Sequence, residues 1–370
     1  MMTDFETGDD AVRTGRMAAH FQGVTEALRG GGNLRGLFAL WAVLFIGFAL
    51  LLPETFPRPA TFQAMMFQIP ELGLLSLAMA IPLVSGGLNL AIIATANQAA
   101  LLMGWVLTTQ MPQGAAGGEL WLWLGLALAA GFVLCLLIGL ITGYIVAVIG
   151  VHPILVTLGT MTLINGVSIF LTRGWTISGF PEPLLAVSNS TIFGAPISFL
   201  LFLLLAGAMH VVLIRTPLGV RIHMIGSNLE ATRYSGVNHR RVLIQVYVLS
   251  SLLCWAAAIV MMGRFNSAGA DFAQSYLLIT ILAAILGGID PYGGFGRISG
   301  LVLALIILQT ISSGFNLLGL SAQLTLALWG ITLILVMAVK RIWPAWQGRL
   351  QAAPPPPAPS QPAFRQELHS

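Results

Sequence analysis

Long apolar stretches recur along almost the whole chain, separated by short polar segments or by glycine and proline. A hydrocarbon layer of ~30 Å requires ~20 consecutive apolar residues per helix. Strand-like alternation is absent, and lipid offers no water to the backbone polar groups, so these stretches predict membrane-spanning helices. Ten helices are predicted, at residues 36–52, 69–86, 88–108, 121–149, 153–172, 196–214, 242–263, 274–288, 298–319 and 322–340.

The expected fold class is therefore an all-α polytopic membrane protein with about ten transmembrane helices between residues 36 and 340. The second and third predicted helices share one long stretch that contains Pro82 and the break at residues 85–87, so broken or re-entrant helices are an alternative there. Residues 1–35 mix acidic and basic side chains and are expected to stay in the cytoplasm. Residues 341–370 carry a proline run and are expected to be a disordered cytoplasmic tail.

Composition excludes most soluble classes, because 57% of the 370 residues are hydrophobic and 8% are charged. The basic residues give the orientation. With ten spans and a cytoplasmic N-terminus, all 17 Lys and Arg residues lie inside except Arg58, Arg173 and Arg264. Both termini are thus expected in the cytoplasm, in a bacterial inner membrane. The net charge of +4 reflects this topology and gives no reason to expect a nucleic-acid partner.

Catalysis is not expected. The only lysine is Lys340, and no glycine-rich loop precedes it, so the chain lacks the phosphate-binding loop of an ATPase. Cys135 and Cys254 fall in apolar stretches, and no metal-ligand spacing or nucleophile motif is present. No cofactor or metal is expected on this chain.

A transporter without a nucleotide site needs an ion gradient or a partner as its energy source. Ion-coupled carriers usually place ionisable residues at bilayer depth. Here Glu71 and Asp290 lie near predicted helix ends, and His210 is the one titratable group well inside a predicted span. A separate ATP-hydrolysing subunit is therefore the favoured source. A secondary carrier is the main alternative, followed by a channel or scaffold and an intramembrane enzyme.

The longest predicted cytoplasmic loop, residues 216–241, begins TPLGVRIHMIGSNLEATRYSG and is basic. Ser227 or Asn228 can cap a short helix, Glu230 suits its first turn and Gly236 suits its end. The loop resembles that of ribose-type sugar permeases of the ABC superfamily, in which Thr-x-Phe-Gly-Arg precedes Ala-x-Gly-x-Asn-x-x-Ala-Ala-x-x-Ser-Gly-Ile. The matching residues are Thr216, Gly219, Gly226, Asn228, Ala231, Ser235 and Gly236.

The resemblance continues over most of the chain, through VHPILVTLGTMTLINGVSIFLT from Val151 and AAILGGIDPYGGFGRISG from Ala283. It implies a type II-like ABC importer permease that moves a sugar, polyol or related small solute. It also implies an ATP-binding subunit that holds ATP and Mg, an external or periplasmic solute-binding protein, and a second permease copy, identical or related. The residues expected to couple to the ATPase are Thr216, Gly219, Arg221, Gly226, Asn228, Glu230, Ala231, Ser235 and Gly236.

The chain departs from the family pattern at charged positions. Asn89 stands where the family has an acid, Asn165 stands where it commonly has an arginine, and Tyr276 is followed by Leu-Leu-Ile in place of Glu-Leu-Asp. Since both members of an ion pair can be replaced together at little cost, Asn89 and Asn165 are hypothesised to be neighbours. The polar residues expected to line the translocation path are Asn89, Asn97, Gln98, Thr157, Thr160, Asn165, Tyr276, Gln309 and Asn316.

Overall fold

The computed structural model describes residues 31–112, 114–321, 323–331 and 334. Residues 1–30, most of the expected N-terminal segment, lie outside the described residues. So do the proline-rich tail and, except for residue 334, the part of the tenth predicted helix that follows residue 331. In the described part, residues 323–331 are helical, and the other helices are α1 (Gly31–Leu51), α2 (Pro59–Val84), α3 (Ile92–Trp105), α4 (Gly118–Tyr144), α5 (Pro153–Thr172), α6 (Glu182–Asn189), α7 (Ile197–Arg215), α8 (Pro217–Ser227), α9 (Leu229–Tyr234), α10 (His239–Phe265), α11 (Tyr276–Leu286) and α12 (Ile298–Leu317).

The all-α polytopic fold class is confirmed. Within the described residues, eight helices are long and apolar enough to cross a membrane: α1 to α5, α7, α10 and α12, with α3 and α4 extended by the π-helical turns Val106–Gln110 and Ile145–Ile149. The apolar α11 is shorter, at 11 residues.

The predicted start of the second helix at residue 69 is wrong, because α2 begins ten residues earlier, at Pro59. Pro70 therefore lies inside this helix and does not open it. Pro82 lies in its last turn, and the helix ends before Ser85 and Gly86. Proline is tolerated inside membrane helices where neighbouring groups satisfy the freed carbonyls.

Helices α2, α3 and α10 form the centre of the bundle. In α2, 83% of the residues in its most apolar stretch are buried, in α3 67% and in α10 56%. Helices α2 and α10 contact each other, and α10 also packs on α3 and α4. By contrast, only 6% of the corresponding stretch of α1 is buried and 22% in α5 and α7, so these helices lie at the periphery.

At one end of the bundle, short strands and α6 cover the end of α10. Strand β1 (Ile177–Ser178) pairs antiparallel with β4 (Ser267–Ala268), and β2 (Thr191–Ile192) pairs with β3 (Ala195–Pro196). Ser188 of α6 donates to the carbonyl of Val260 at 2.8 Å. The segment between α5 and α7, expected only as a loop, is therefore folded onto the core.

Close packing of α4 on α10 depends on two glycines. A Cβ atom added at Gly139 would lie 2.8 Å from Cα of Val248, and one added at Gly143 would lie 2.9 Å from Cα of Ile244. Small residues allow the backbones of membrane helices to approach in this way.

We predict that Gly143→Ala lowers the free energy of unfolding by about 1–3 kcal/mol, since the added methyl group meets backbone that must shift. Thermal unfolding of the purified chain in detergent measures this. The matched control is Gly125→Ala in the same helix, where a Cβ atom meets nothing within 4 Å. Equal melting temperatures for the two variants would contradict the packing described.

Candidate coupling site and buried polar cluster

Residues 216–241 fold into two consecutive capped helices. Thr216 caps α8, since its Oγ1 accepts a hydrogen bond from the N–H of Gly219 at 3.3 Å. Asn228 ends α8 and caps α9, with Oδ1 accepting from the N–H of Ala231 at 3.0 Å. The predicted short helix with an Asn228 cap is thus present as α9. The longer α8, which precedes it, was not expected.

The first turn of α9 carries Glu230, which pairs with Arg233 at 3.0 Å. Both side chains are more than half exposed, so the pair contributes little to stability. Ser235 donates to the carbonyl of Ala231 at 3.0 Å. Gly236 follows with φ +76°, a conformation that favours glycine, and ends the helix as expected.

The C-terminal end of α8 is fitted between two other backbone segments. We call this contact of Val84, Gly86, Gly226, Gly293 and Gly294 the glycine junction. The N–H of Gly294 donates to the carbonyl of Val84 at 2.8 Å. A Cβ atom at Gly226 would overlap both the Val84 carbonyl oxygen and the Gly294 nitrogen. The junction therefore joins α8 directly to the end of α2 and to the segment between α11 and α12.

Two further contacts hold α8 in place. A Cβ atom at Gly219 would overlap the carbonyl of Leu213 in α7. The imidazole of His223 lies between the carbonyl oxygens of Gly219, at 2.8 Å, and Gly296, at 3.3 Å. Displacement of α8 would therefore disturb α7 and the α11–α12 segment together.

The outward side of this region is exposed and partly aromatic. Tyr234 is 90% exposed and Tyr292 is 87% exposed. Arg221 is also exposed. The exposed residues of this region thus include aromatic rings and a positive charge, residue types that are enriched at protein interfaces.

A second feature lies within the bundle, where side chains from four helices form a buried polar cluster. Its members are Gln68 and Glu71 of α2, Arg264 of α10, Tyr276 of α11, and Gln309 and Ser313 of α12. Glu71 and Gln309 are buried, and the other four are half-buried. Oε1 of Glu71 accepts from the Tyr276 hydroxyl at 2.6 Å and pairs with Nη1 of Arg264 at 3.0 Å. The Gln309 amide donates to Gln68 at 2.9 Å and to Ser313 at 3.1 Å.

This cluster corrects two expectations. Glu71 does not lie near a helix end, because α2 begins at Pro59, and only 1% of the residue is exposed. Arg264 does not lie in a loop, since it belongs to the last turn of α10 and pairs with Glu71. His210 is therefore not the one titratable group well inside a span.

Several of the expected path residues hold the backbone together. The Asn89 amide donates to Ser250 at 2.9 Å, and its oxygen accepts from the N–H of Ala91. Asn97 donates to the carbonyls of Ala270 at 2.8 Å and Phe272 at 2.9 Å. These amides fix the start of α3 and the segment between α10 and α11.

Other expected path residues, in α3 and α5, also form hydrogen bonds, either to another segment or within their own helix. Thr157 donates to the carbonyls of Pro153 and Leu88, at 2.9 and 3.2 Å. Thr160 donates within its own helix. Ser168 of α5 hydrogen-bonds to Gln98 of α3.

The structure gives no support to the hypothesis that Asn89 and Asn165 are neighbours. Asn89 is directed to Ser250 of α10. Asn165 lies two turns beyond Thr157, which is about 12 Å along the axis of α5. Asn316 is exposed near the end of α12. Of the nine expected path residues, two belong to the buried polar cluster: Tyr276, which bonds to Glu71, and Gln309, which bonds to Gln68 and Ser313.

The sequence carried a usable signal for Glu71, which was missed. It is the one acidic residue in the apolar stretch 59–84, and a lone acid in such a stretch marks a functional position by default. The predicted helix of residues 69–86 instead placed Glu71 near its start. For Val84 the sequence carried no signal, since its contribution is a backbone carbonyl.

Comparison with known proteins identifies relatives over most of the chain. A family model described as branched-chain amino acid transport system, permease component, matches residues 62–337. The autoinducer 2 import system permease protein LsrD of Photorhabdus laumondii is 31% identical over 318 residues, covering 82% of this chain and 91% of the relative. Its counterpart in Yersinia pseudotuberculosis is 31% identical over 277 residues, covering 73% of this chain and 80% of the relative.

We predict unequal effects of removing the two charges in the cluster. Arg264→Gln leaves Glu71 buried without its counter-ion and should cost about 3–5 kcal/mol. Glu71→Gln should cost less, since the Arg264 side chain is 26% exposed and can reorient. The double variant E71Q/R264Q should regain most of the loss, because neither charge is left unpaired.

Thermal unfolding of the four proteins in detergent checks this order. Additive losses in the double variant would contradict a direct interaction between Glu71 and Arg264.

Proposed function

This chain belongs to the family of ABC importer permeases whose model spans residues 62–337, and we propose that it is the membrane-spanning subunit of an ATP-driven importer for a sugar, a polyol or a similar small polar solute. The resemblance to ribose-type permeases seen in the sequence is confirmed at the level of the family. The relatives named above are import permeases as well. ATP hydrolysis belongs, in this proposal, to a separate subunit.

The glycine junction carries the proposal. A soluble subunit that pushes on α8 and α9 acts through Gly226 on the carbonyl of Val84 and on Gly294. Close-packed backbone cannot absorb such a displacement, since nothing flexible lies between the segments. Motion of α8 is therefore passed to α2, the most buried helix of the bundle, and to the segment that joins α11 to α12.

The ATP-binding subunit docks, in this proposal, on the surface that carries Arg221, Tyr234 and Tyr292. ATP and Mg stay on that subunit, because the one lysine of this chain lies outside any phosphate-binding loop. The end of the bundle with α8 and α9 then faces the cytoplasm of a bacterial cell, across the inner membrane, with both termini on the same side. The basic residues Arg221, Arg240 and Arg241 support this orientation.

The opposite end of the bundle receives the external solute-binding protein. It is built from α6 and the two short antiparallel strand pairs. Phe193 and Trp175 are fully or largely exposed there. Exposed aromatic residues of this kind favour contact with a partner or with the membrane interface.

A second permease copy packs, in this proposal, against α5. The outward face of this helix bears a shallow groove of about 600 Å³. It is lined by Gly159, Thr162, Leu163, Gly166, Val167 and Phe170. Small residues on a membrane helix permit close contact with another helix. A translocation path between two copies would then run along α5.

The relatives direct the choice of solute to be tested. The names of these relatives specify import of autoinducer 2, and the family model is described by branched-chain amino acid transport. A sugar-like solute and a branched-chain amino acid therefore remain the two classes to compare. The second candidate mechanism is an ion-coupled carrier. The Glu71–Arg264 pair supports this alternative, because it places ionisable groups inside the bundle. Uptake driven by an ion gradient without the ATPase would establish that mechanism.

We predict that Gly226→Ala uncouples transport from ATP hydrolysis. The added methyl group forces α8 away from Val84 and Gly294, so ATP-driven uptake of autoinducer 2 should fall about tenfold or more while the ATPase continues to hydrolyse ATP. Vesicles reconstituted with the ATPase and the solute-binding protein allow both rates to be measured.

The matched control is Gly207→Ala in α7, where a Cβ atom meets nothing within 4 Å. It should transport at the wild-type rate. If Gly226→Ala and Gly207→Ala transport equally well, the glycine junction does not carry the coupling.

A further inference from the structure

The hydroxyl group of Tyr247 is buried without a hydrogen-bond partner. Tyr247 belongs to α10, and 1% of the residue is exposed. Among the residues that the structure describes, none bonds to this hydroxyl. A buried hydroxyl of this kind has given up its bonds to water, and such groups are rare in folded proteins. Packing alone therefore does not account for tyrosine here, because phenylalanine has the same shape without the unpaired group.

The ring of Tyr247 is held by its neighbours. It packs in an apolar cluster with Val146 and Val156. A Cβ atom at Gly143 would lie 3.3 Å from Cβ of Tyr247. Val146 belongs to the π-helical turn that follows α4, and such turns occur frequently at functional sites. Since the ring is closely packed, the hydroxyl can turn about its C–O bond but cannot readily move to a distant acceptor.

The hydroxyl lies against the break between α2 and α3. A Cβ atom at Gly87 would be 2.8 Å from the hydroxyl oxygen of Tyr247. Gly87 is buried, and its carbonyl oxygen accepts no hydrogen bond from the described part of the chain. A donor and an acceptor, each without a partner, therefore lie close together without bonding to each other.

The next two residues of the break are bonded to the surrounding helices. The carbonyl of Leu88 accepts from Thr157 of α5 at 3.2 Å. The amide of Asn89 donates at 2.9 Å to Ser250, which lies one turn after Tyr247 on α10. The carbonyl of Gly87 is therefore the acceptor in this segment that remains available to α10.

Gly87 is also next in sequence to the glycine junction. A Cβ atom at Gly293 would lie 2.6 Å from Cα of Gly86, so the two backbones are in close contact. A displacement of α8 at Gly226 therefore reaches the peptide group that joins Gly86 to Gly87. Because both residues are glycines, this peptide can rotate at little steric cost, whereas Tyr247 stays with α10.

We propose that displacement of α8 brings the carbonyl of Gly87 into hydrogen-bonding distance of the Tyr247 hydroxyl, and that this bond stabilises the displaced arrangement relative to the one described here. The inference rests on the proposed function, since the ATPase supplies the displacement. Tyr247 is a positioning residue in this account. It selects between two arrangements of the break and contacts no solute.

The test uses Tyr247→Phe, which removes the hydroxyl and keeps the ring. The second variant is Gly87→Ala, whose methyl group would lie between Gly87 and the hydroxyl. Gly87 is not among the glycines with positive φ, so its backbone accepts alanine. The double variant combines the two changes. Tyr144→Phe in α4, at a site that is 53% exposed, is the matched control.

Two measurements are made on each protein. The unfolding temperature is measured on the isolated chain in detergent. The kcat and KM of ATP-driven uptake are measured in vesicles reconstituted with the ATPase and the solute-binding protein. The solute is whichever of radiolabelled autoinducer 2, D-ribose and leucine the wild type takes up.

Tyr247→Phe should unfold at the wild-type temperature or above it, because it removes a buried group that has no partner. Its kcat for uptake should fall about fivefold or more with an unchanged KM, because the displaced arrangement loses one hydrogen bond. Gly87→Ala should lower kcat as well. The double variant should be no slower than the slower single variant, since both changes remove the same bond. Tyr144→Phe should match the wild type.

The failures are distinguishable. Wild-type vesicles that take up none of the three solutes overturn the proposed function and this inference with it. Wild-type kcat in Tyr247→Phe overturns the inference alone, whether or not KM changes. A lowered unfolding temperature of this variant, or its failure to fold, also overturns the inference, since the hydroxyl would then stabilise the arrangement described here. Losses that multiply in the double variant contradict a shared bond.

Discussion

The contact between the Val84 carbonyl, Gly226 and Gly294 constrains the rest of the molecule, because three chain segments far apart in sequence meet there through backbone atoms. Helix α8 has no room to shift independently, since even a methyl group at Gly226 would overlap both neighbours. Side chains can rotate away from a force, whereas packed backbone transmits it. Helix α8 is therefore fixed to the bundle through its backbone.

Helix α2 links this contact to the buried polar cluster. Val84 lies at its end and Glu71 lies 13 residues earlier, about 20 Å away along the helix axis. The partner of Glu71 in α11, Tyr276, belongs to the helix that leads into Gly293 and Gly294. Both sides of the Glu71–Tyr276 hydrogen bond are thus connected to α8. A displacement of α8 can therefore change the relative position of these two side chains.

Much of this architecture could be predicted from the sequence, and the limits have physical causes. Apolar runs located the spanning helices because lipid imposes a minimum length, and Asn228 with Gly236 located α9 because capping depends on nearby residues. The start of α2 was placed ten residues too late, at residue 69, so Glu71 was expected near a helix end and not inside a span. The Glu71–Tyr276 contact joins residues 205 positions apart, and hydropathy carries no information on which helix faces meet. Among the expected path residues, sequence alone could not separate Tyr276 and Gln309 from Asn89 and Asn97, since both groups are polar residues in apolar surroundings.

The central claim is that residues 216–241 face the cytoplasm and receive an ATP-hydrolysing subunit. It is tested most directly by maleimide labelling of the variant Tyr234→Cys in sealed vesicles of both orientations, with and without that subunit. Tyr234 is 90% exposed, whereas the native Cys135 and Cys254 are buried, so background labelling should be low. The account predicts labelling from the cytoplasmic side only, and protection when the subunit is bound. Labelling from the external side would contradict the account, as would unchanged labelling in the assembled complex.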